Sequence, residues 1–499
     1  MFDSMAQGSS SRGSPEHIGR GTGGRPPGSR AHVPCDRLPE PLSARHAPRP
    51  APPVDRRQGL RCMQDTRSAG SDFLQVAPDP STKRWITAMR VSVRRHGRAV
   101  AISATAALSL VLGACTQQQE GTAADEGGPA AVAAPQEVDG LSADPAKNTP
   151  DALRRAATAP DWAVPVQVID CATPGCDGKR TPGVYTPLPK SEIKGKWSIC
   201  ALLPHVKDPY WVGQDEALVA EARRTGVHLQ VYEAGGYTEV SKQLDQLSNC
   251  VAQGANAVLI GAVSNEALNP KIEEIVNQGV VVIDAVNGVT SKKVQGRALF
   301  DYCTLGGSLA RHLKEQGKPV NGVWFPGPAG VGSLEQLMSC FKEQAAGSDV
   351  KVLGTKYGDT GKDAQLNLVE NALGAYPGMD YILGSATTAD AAHGVLKERG
   401  LSDKVRTASY YFTPEVYSLL KSGDATCASA GNDLILSRIA MDMAIRKLEK
   451  KPFVGGPYIG TNAQVICGPA AGADADNLGE LVKELNLPSD GFSPVFNVN

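Results

Sequence analysis

Ser198-Ile199-Cys200-Ala201-Leu202-Leu203-Pro204-His205-Val206-Lys207-Asp208-Pro209-Tyr210-Trp211 is the stretch on which the fold turns. Ile199 to Leu203 is a short, unbroken apolar run, the pattern of a sheet strand covered on both faces. A helical-looking segment follows from about Gly213. Strand, short loop and helix make half of a βα unit. In an open α/β sheet, ligands collect in the crevice at the carboxyl ends of the strands. Asp208, Tyr210 and Trp211 would then face that crevice, and aromatic faces beside a carboxylate suit a small polar or cationic solute. The alternative is that Tyr210 and Trp211 cap the core beneath the first helix.

Downstream, apolar runs alternate with helical patterns, as in parallel βα units. Strands are expected over 198–203, 227–232, 257–260 and 280–283, with helices around 213–224, 240–253 and 269–277 between them. Gly226, Gly254 and Gly279 close those helices, as C-cap glycines do. A second series has strands near 322–325, 350–354, 381–383, 407–410 and 425–429, and helices at 304–316, 334–346, 364–375, 389–399 and 414–421. A further amphipathic helix spans 436–450. Two similar halves imply an α/β protein of two Rossmann-like lobes joined by a hinge.

Upstream, residues 1–88 are crowded with Arg, Gly, Pro and Ser and lack periodicity, the composition of a disordered or spurious leader. Met89-Arg90, then Arg94, Arg95 and Arg98, precede an uncharged run from Ala99 to Ala114. A basic segment before a short apolar one is a secretion signal, here 89–114, too short for a comfortable membrane span. It ends in Leu112-Gly113-Ala114-Cys115, which resembles a bacterial lipobox and marks Cys115 for lipidation. Residues 115–160 have linker composition, and 161–195 are expected to pack as an N-terminal extension. Residues 1–100 carry 17 Lys and Arg against 8 Asp and Glu, the remainder 34 against 44. The folded part is therefore acidic, which argues against a nucleic-acid partner.

Cys171, Cys176, Cys200, Cys250, Cys303, Cys340, Cys427 and Cys467 remain after the leader and the lipobox. Their even number fits an oxidising compartment. Sequential pairing is expected: Cys171 and Cys176 flank a turn-like Ala-Thr-Pro-Gly, and the other three pairs each stay within one lobe. The spacing carries no zinc signature.

From about Trp197 to Asn499 the chain resembles type I periplasmic binding proteins, most closely those that sense trimethylamine N-oxide beside a hybrid sensor histidine kinase. Ile199-Cys200-Ala201-Leu202 with Lys207-Asp208-Pro209-Tyr210-Trp211 carries the resemblance, together with Glu233-Ala234-Gly235-Gly236-Tyr237, Pro326-Gly327-Pro328 and Ser409-Tyr410-Tyr411. It implies that residues 196–300 and 433–457 form lobe 1, and 301–432 and 458–499 lobe 2. It also implies that Tyr210, Trp211, Tyr237 and Tyr411 wall a box around a methylated ammonium, which offers no N–H and is held by ring faces. The family's further tryptophan at the crossover is replaced by Leu299 or Phe300, so one wall is expected to be aliphatic or shifted.

Four more residues join the candidate ligand set. Asp208 is either a solute acceptor or the N-cap of the next helix. Asn287 is a ligand or a turn residue, and Asp390 a ligand or a helix cap. Asp433 sits where the chain crosses between lobes. A sugar is the rival guest, although sugar-binding relatives carry Asn-Asp where this chain has Thr387-Thr388-Ala389-Asp390. No catalytic motif is present; Gly327-Pro328-Ala329-Gly330-Val331-Gly332 reads as a strand-to-helix turn. The expectation is an exported, lipid-anchored binding protein without enzyme activity, cofactor or metal. It would close on a small solute, trimethylamine N-oxide or a related methylated amine, and signal to a sensor histidine kinase. The alternative is the substrate-binding lipoprotein of an ABC importer for a sugar or other small polar solute, with an ABC permease as its partner.

Overall fold

The computed structural model describes Val138 and residues 140–176, 178–472 and 478–499. The leader, the signal segment, Cys115 and the first part of the expected linker lie outside these residues. The chain runs through α1 (Pro150–Thr158), β1 (Val164–Ile169), β2 (Arg180–Tyr185), β3 (Ser198–Leu203), α2 (Pro209–Thr225), β4 (His228–Glu233), α3 (Val240–Ala252), β5 (Ala257–Ile260), α4 (Asn269–Asn277), β6 (Val281–Val286) and β7 (Gly296–Leu299). Next come α5 (Tyr302–Glu315), β8 (Val320–Gly327), α6 (Gly332–Ala345), β9 (Val350–Tyr357), α7 (Lys362–Ala375), β10 (Tyr381–Gly384), α8 (Ala386–Glu398), β11 (Arg406–Ser409), α9 (Pro414–Ser422) and β12 (Cys427–Ala430). The last elements are α10 (Ile435–Leu448), β13 (Tyr458–Thr461), β14 (Gln464–Cys467), α11 (Glu480–Asn486) and β15 (Asn497–Val498).

These strands form two sheets. The first has the order β15-β4-β3-β5-β6-β7-β13-β1-β2 and the second β14-β12-β11-β10-β8-β9. Pairing is parallel throughout the βα repeats and where β13 joins β7, and antiparallel where β1, β2, β14 and β15 join. The architecture is the two-lobed α/β fold expected. Strand β3 is covered on both faces. Ile199, Ala201 and Leu203 pack with α2 and α10, whereas Cys200 and Leu202 pack with Leu247 of α3 and Ile272 of α4. Each large apolar side chain buried in this way contributes about 1.5–3 kcal/mol. The alternation of faces fixes the strand's register, since a slip by one residue would exchange the two sets.

Three boundaries differ from expectation. The linker ends early: α1 lies within 115–160 and buries Ala157, with Thr149 capping its first turn. Residues 161–195 extend the first sheet, because β1 pairs with β13 and β2 with β1. Residues 458–499 do not all belong to lobe 2. β13 pairs with β7 and β15 with β4, both in lobe 1, while β14 pairs with β12 in lobe 2. The chain therefore crosses between lobes more often than expected, near 300, 432, 462 and 490.

Disulfides join Cys171–Cys176, Cys200–Cys250, Cys303–Cys340 and Cys427–Cys467. The last three each tie elements within one lobe, so none of them restrains the hinge.

Candidate ligand-binding cleft

The strand orders locate the crevice. β3 lies between β4 and β5, and β8 between β9 and β10, so the topology reverses direction at the carboxyl ends of β3 and β8. Such switch points are where open α/β sheets bind ligands. The loop from β3 carries Asp208 into one side of the cleft, and Tyr410 of the facing lobe donates its hydroxyl to the carbonyl of Pro326 at 2.6 Å, at the end of β8.

Asp208 caps α2: its Oδ1 accepts the N–H of Tyr210 at 3.0 Å, and Pro209 occupies the first turn. Its Oδ2 accepts the hydroxyl of Tyr411 from the other lobe. The cap and the site are thus one residue. Asp208 is buried, and burial pushes its carboxyl up to about 6 against the opposing hydrogen bonds from Tyr411 and Tyr210. Among the described residues no Lys, Arg or His forms an ion pair with it.

Aromatic rings surround this carboxylate. The Tyr210 ring centroid lies 5.4 Å from Trp211 and 5.2 Å from Tyr411, both edge-on, and 6.3 Å from Phe300. Tyr410 and Tyr411 are 5.3 Å apart. Tyr210 keeps its hydroxyl buried with no partner. Tyr237 follows β4 through Gly235 and Gly236, whose φ of 97° and 154° turn the chain toward the cleft as only glycine does readily. Its hydroxyl accepts Asn287 Nδ2 at 3.3 Å, and Asn287 also donates to the carbonyl of Ala262 at 2.8 Å. Asn287 is therefore both a wall and a brace for the loop after β6.

These side chains, with Val286, Tyr302, Leu305, Leu334 and Thr360, enclose a cavity of about 50 Å³. At the crossover Phe300, one of the two residues expected there, lines the cavity, so this wall is aromatic and not aliphatic. Leu299 turns away to pack on Ile169 and Tyr458. Val286 has φ of 66°, an uncommon backbone state for a β-branched residue, and its carbonyl accepts the Tyr302 hydroxyl at 3.0 Å. Tyr302, Tyr410 and Thr360 were not singled out from sequence. Tyr410 was legible as the neighbour of Tyr411 after β11; Thr360 lies in a loop with no pattern.

Two candidates stand elsewhere. Asp390 lies inside α8, which Ser385 caps, and pairs with Lys362 Nζ at 2.6 Å, so it neither caps that helix nor lines the cavity. Asp433 lies at the crossing from β12 to α10 and does not line the cavity. Its Oδ1 accepts Gly431 N–H at 3.1 Å, its carbonyl accepts Gln214 Nε2 at 2.8 Å, and its Oδ2 is buried without a partner. Burial pushes this carboxyl up to about 7. His205, also fully buried, contacts Thr360 Oγ1 of lobe 2 at 3.2 Å, and burial pulls it down to about 4, so its ring is neutral at ordinary pH. Asn265 Oδ1 accepts Gly332 N–H at 2.6 Å. With Asp208 to Tyr411, these contacts hold the lobes closed.

The residues from 199 to 452 match the family model of the periplasmic binding protein domain. Periplasmic protein TorT of Escherichia coli K12 is 30% identical over 62% of this chain and 86% of its own length. A solved ABC transporter solute-binding protein from Bradyrhizobium sp. BTAi1, with bound bis-tris, is 41% identical, with a TM-score of 0.57 over 66% of this chain and 97% of its own. The crystal structure of the TorS sensor domain–TorT complex in the presence of TMAO is 26% identical, with a TM-score of 0.53 over 60% and 99%. No helix among the described residues is long and apolar enough to cross a membrane. With this match across half of the chain, on a two-lobed fold with a walled cleft at both switch points, the chain belongs to the periplasmic binding protein family, whose members bind solutes rather than catalyse reactions.

Proposed function

We propose that the cleft takes a compact methylated amine, such as trimethylamine N-oxide, with the nitrogen against the faces of Tyr210, Trp211, Phe300 and Tyr411. The observation that carries this reading is a buried carboxylate, Asp208, set among aromatic rings without a cation of the protein beside it. Ring faces contribute roughly 0.5–2 kcal/mol each to a cation in such a site. Size points the same way. A cavity of about 50 Å³ suits a solute of a few heavy atoms, and a pyranose enters only if the walls move. Asp390, the acceptor nearest to the sugar pattern, is committed to Lys362.

Closure on the solute presents a surface that joins both lobes to a membrane partner. A sensor histidine kinase is the partner we favour, because the TorT relative is seen with the TorS sensor domain. An ABC permease is the second reading, since the Bradyrhizobium relative is described as an ABC transporter protein. Lipidation of Cys115 would tether either assembly. A thermal-shift screen of trimethylamine N-oxide, choline, glycine betaine, ribose and glucose tests the ligand class. A rise in melting temperature with at least one methylated amine is expected; stabilisation by a sugar with no response to any amine would overturn it.

A further inference from the structure

Far from the cleft, in lobe 2, three ligand-type side chains converge. Cys427 of β12 and Cys467 of β14 stand directly opposite in an antiparallel pair. His312, on the third turn of α5, reaches across so that its Nε2 lies 3.1 Å from Cys427 Sγ and 3.2 Å from Cys467 Sγ. A structural disulfide has no need of an imidazole against both sulfurs. These residues are far apart in the chain, which is why no ligand spacing announces them.

We propose that His312, Cys427 and Cys467 form a redox-gated site for a thiophilic cation, Zn²⁺ or Cu⁺, that is created when the Cys427–Cys467 bond is reduced. The reductant is a dithiol. Its thiolate attacks one sulfur and breaks the S–S bond; its second thiol resolves the mixed disulfide and leaves as the oxidised dithiol. The pair has gained two electrons and two protons. Cation binding then releases both thiol protons to solvent, and neutral His312 supplies the Nε2 lone pair with its proton on Nδ1.

The spacing supports this. A tetrahedral ion with sulfur at about 2.3 Å and nitrogen at about 2.0 Å keeps its ligand atoms roughly 3.5–3.8 Å apart. His312 Nε2 already stands within about half an ångström of that distance from each sulfur. With the S–S bond broken, rotation about the cysteine Cα–Cβ bonds supplies the rest. Thiolate and imidazole are the donors that thiophilic d¹⁰ cations prefer. A cavity of about 320 Å³ lined by His312, Gln316, Tyr381, Thr426 and Cys427 adjoins these ligands, with room for water or an outside ligand to take a fourth position. Three protein ligands and one open position is the pattern of a reactive site, not of a closed structural one.

The test uses the exported full chain, reduced anaerobically with graded dithiothreitol and freed of it, with circular dichroism to confirm the fold. Alkylation mapping is expected to find Cys427 and Cys467 opened before the chain unfolds. One Zn²⁺ or Cu⁺ per chain then protects those two cysteines from alkylation, and Co²⁺ as a probe gives a thiolate charge-transfer band. His312→Ala, which leaves the disulfide intact, should weaken binding at least tenfold. The proposal is overturned if the pair resists reduction until the chain unfolds, if the reduced pair binds no stoichiometric cation, or if His312→Ala binds as tightly as the parent. Separate Zn²⁺ and Cu⁺ titrations show which ion the site prefers.

Discussion

Asp208 Oδ2, in lobe 1, accepts the hydroxyl of Tyr411, in lobe 2, across the mouth of the cleft. The bond joins the two halves through a group that also carries the charge expected to hold the guest. On the proposed function, closure and recognition share a residue. Tyr411→Phe keeps the ring and removes the bond. A hydrogen bond to a charged group is worth about 1.5–3 kcal/mol, so affinity by calorimetry should fall about tenfold or more; a change of less than twofold would separate closure from this bond.

If the cleft takes a cation as proposed, Asp208 makes its binding depend on pH. Its carboxyl is pushed up to about 6, mainly by burial. Below that pH the carboxyl is neutral and the cleft holds only ring faces. Affinity for choline should rise between about pH 5 and pH 7, with release of a proton on binding below pH 6. Asp208→Asn should flatten the profile at the low-pH value. Calorimetry in buffers of different ionisation enthalpy measures the proton directly.

Asp433 affects stability in the opposite sense to a salt-bridged carboxylate. Burial raises it to about 7 in the folded protein from an ordinary value near 3.8. The folded state thus binds the proton more tightly than the unfolded chain, and the contribution to stability is lost as pH rises from about 4 to about 7. Asp433→Asn, which keeps the acceptor for Gly431, should raise the melting temperature at pH 8. The gain should vanish near pH 4. Equal effects at both values would mean that Asp433 is ionised throughout.

Asp390 supplies the negative control. Its partner Lys362 has an exposed side chain, and exposed pairs contribute about 1 kcal/mol or less. Asp390→Ala should leave ligand affinity within twofold and the melting temperature nearly unchanged.

Much of this was legible in the sequence because parallel strands and amphipathic helices leave strong periods. Residues 198–203, 257–260 and 269–277 are bounded in the structure as expected from the apolar runs. Asp208, Tyr210 and Trp211 are legible as lying just beyond a strand, Tyr237 and Tyr411 through the family resemblance and Asn287 as a ligand or turn residue, and the fold gathers them into one cavity. What stayed hidden depends on tertiary partners. β13 and β15 are short, and their strand identity comes from β7 and β4 beside them. Asp390 follows Thr387 and Thr388 and resembled a cap, but Ser385 takes that role. Phe300 and Leu299 are adjacent, and only the pleat at the end of β7 decides which faces the cavity.

The central claim is that the cleft selects a positive nitrogen with aromatic faces and Asp208. Trimethylamine N-oxide and tert-butanol have nearly the same shape, but only the first carries a cationic centre. Calorimetric titration of both into the protein and into Trp211→Ala is the most direct test. The account predicts that the N-oxide binds at least about tenfold more tightly than the alcohol, as one or two good ring contacts would give, and that Trp211→Ala reduces this preference severalfold. Equal affinity for the two, or a preference that is undiminished in Trp211→Ala, would contradict it.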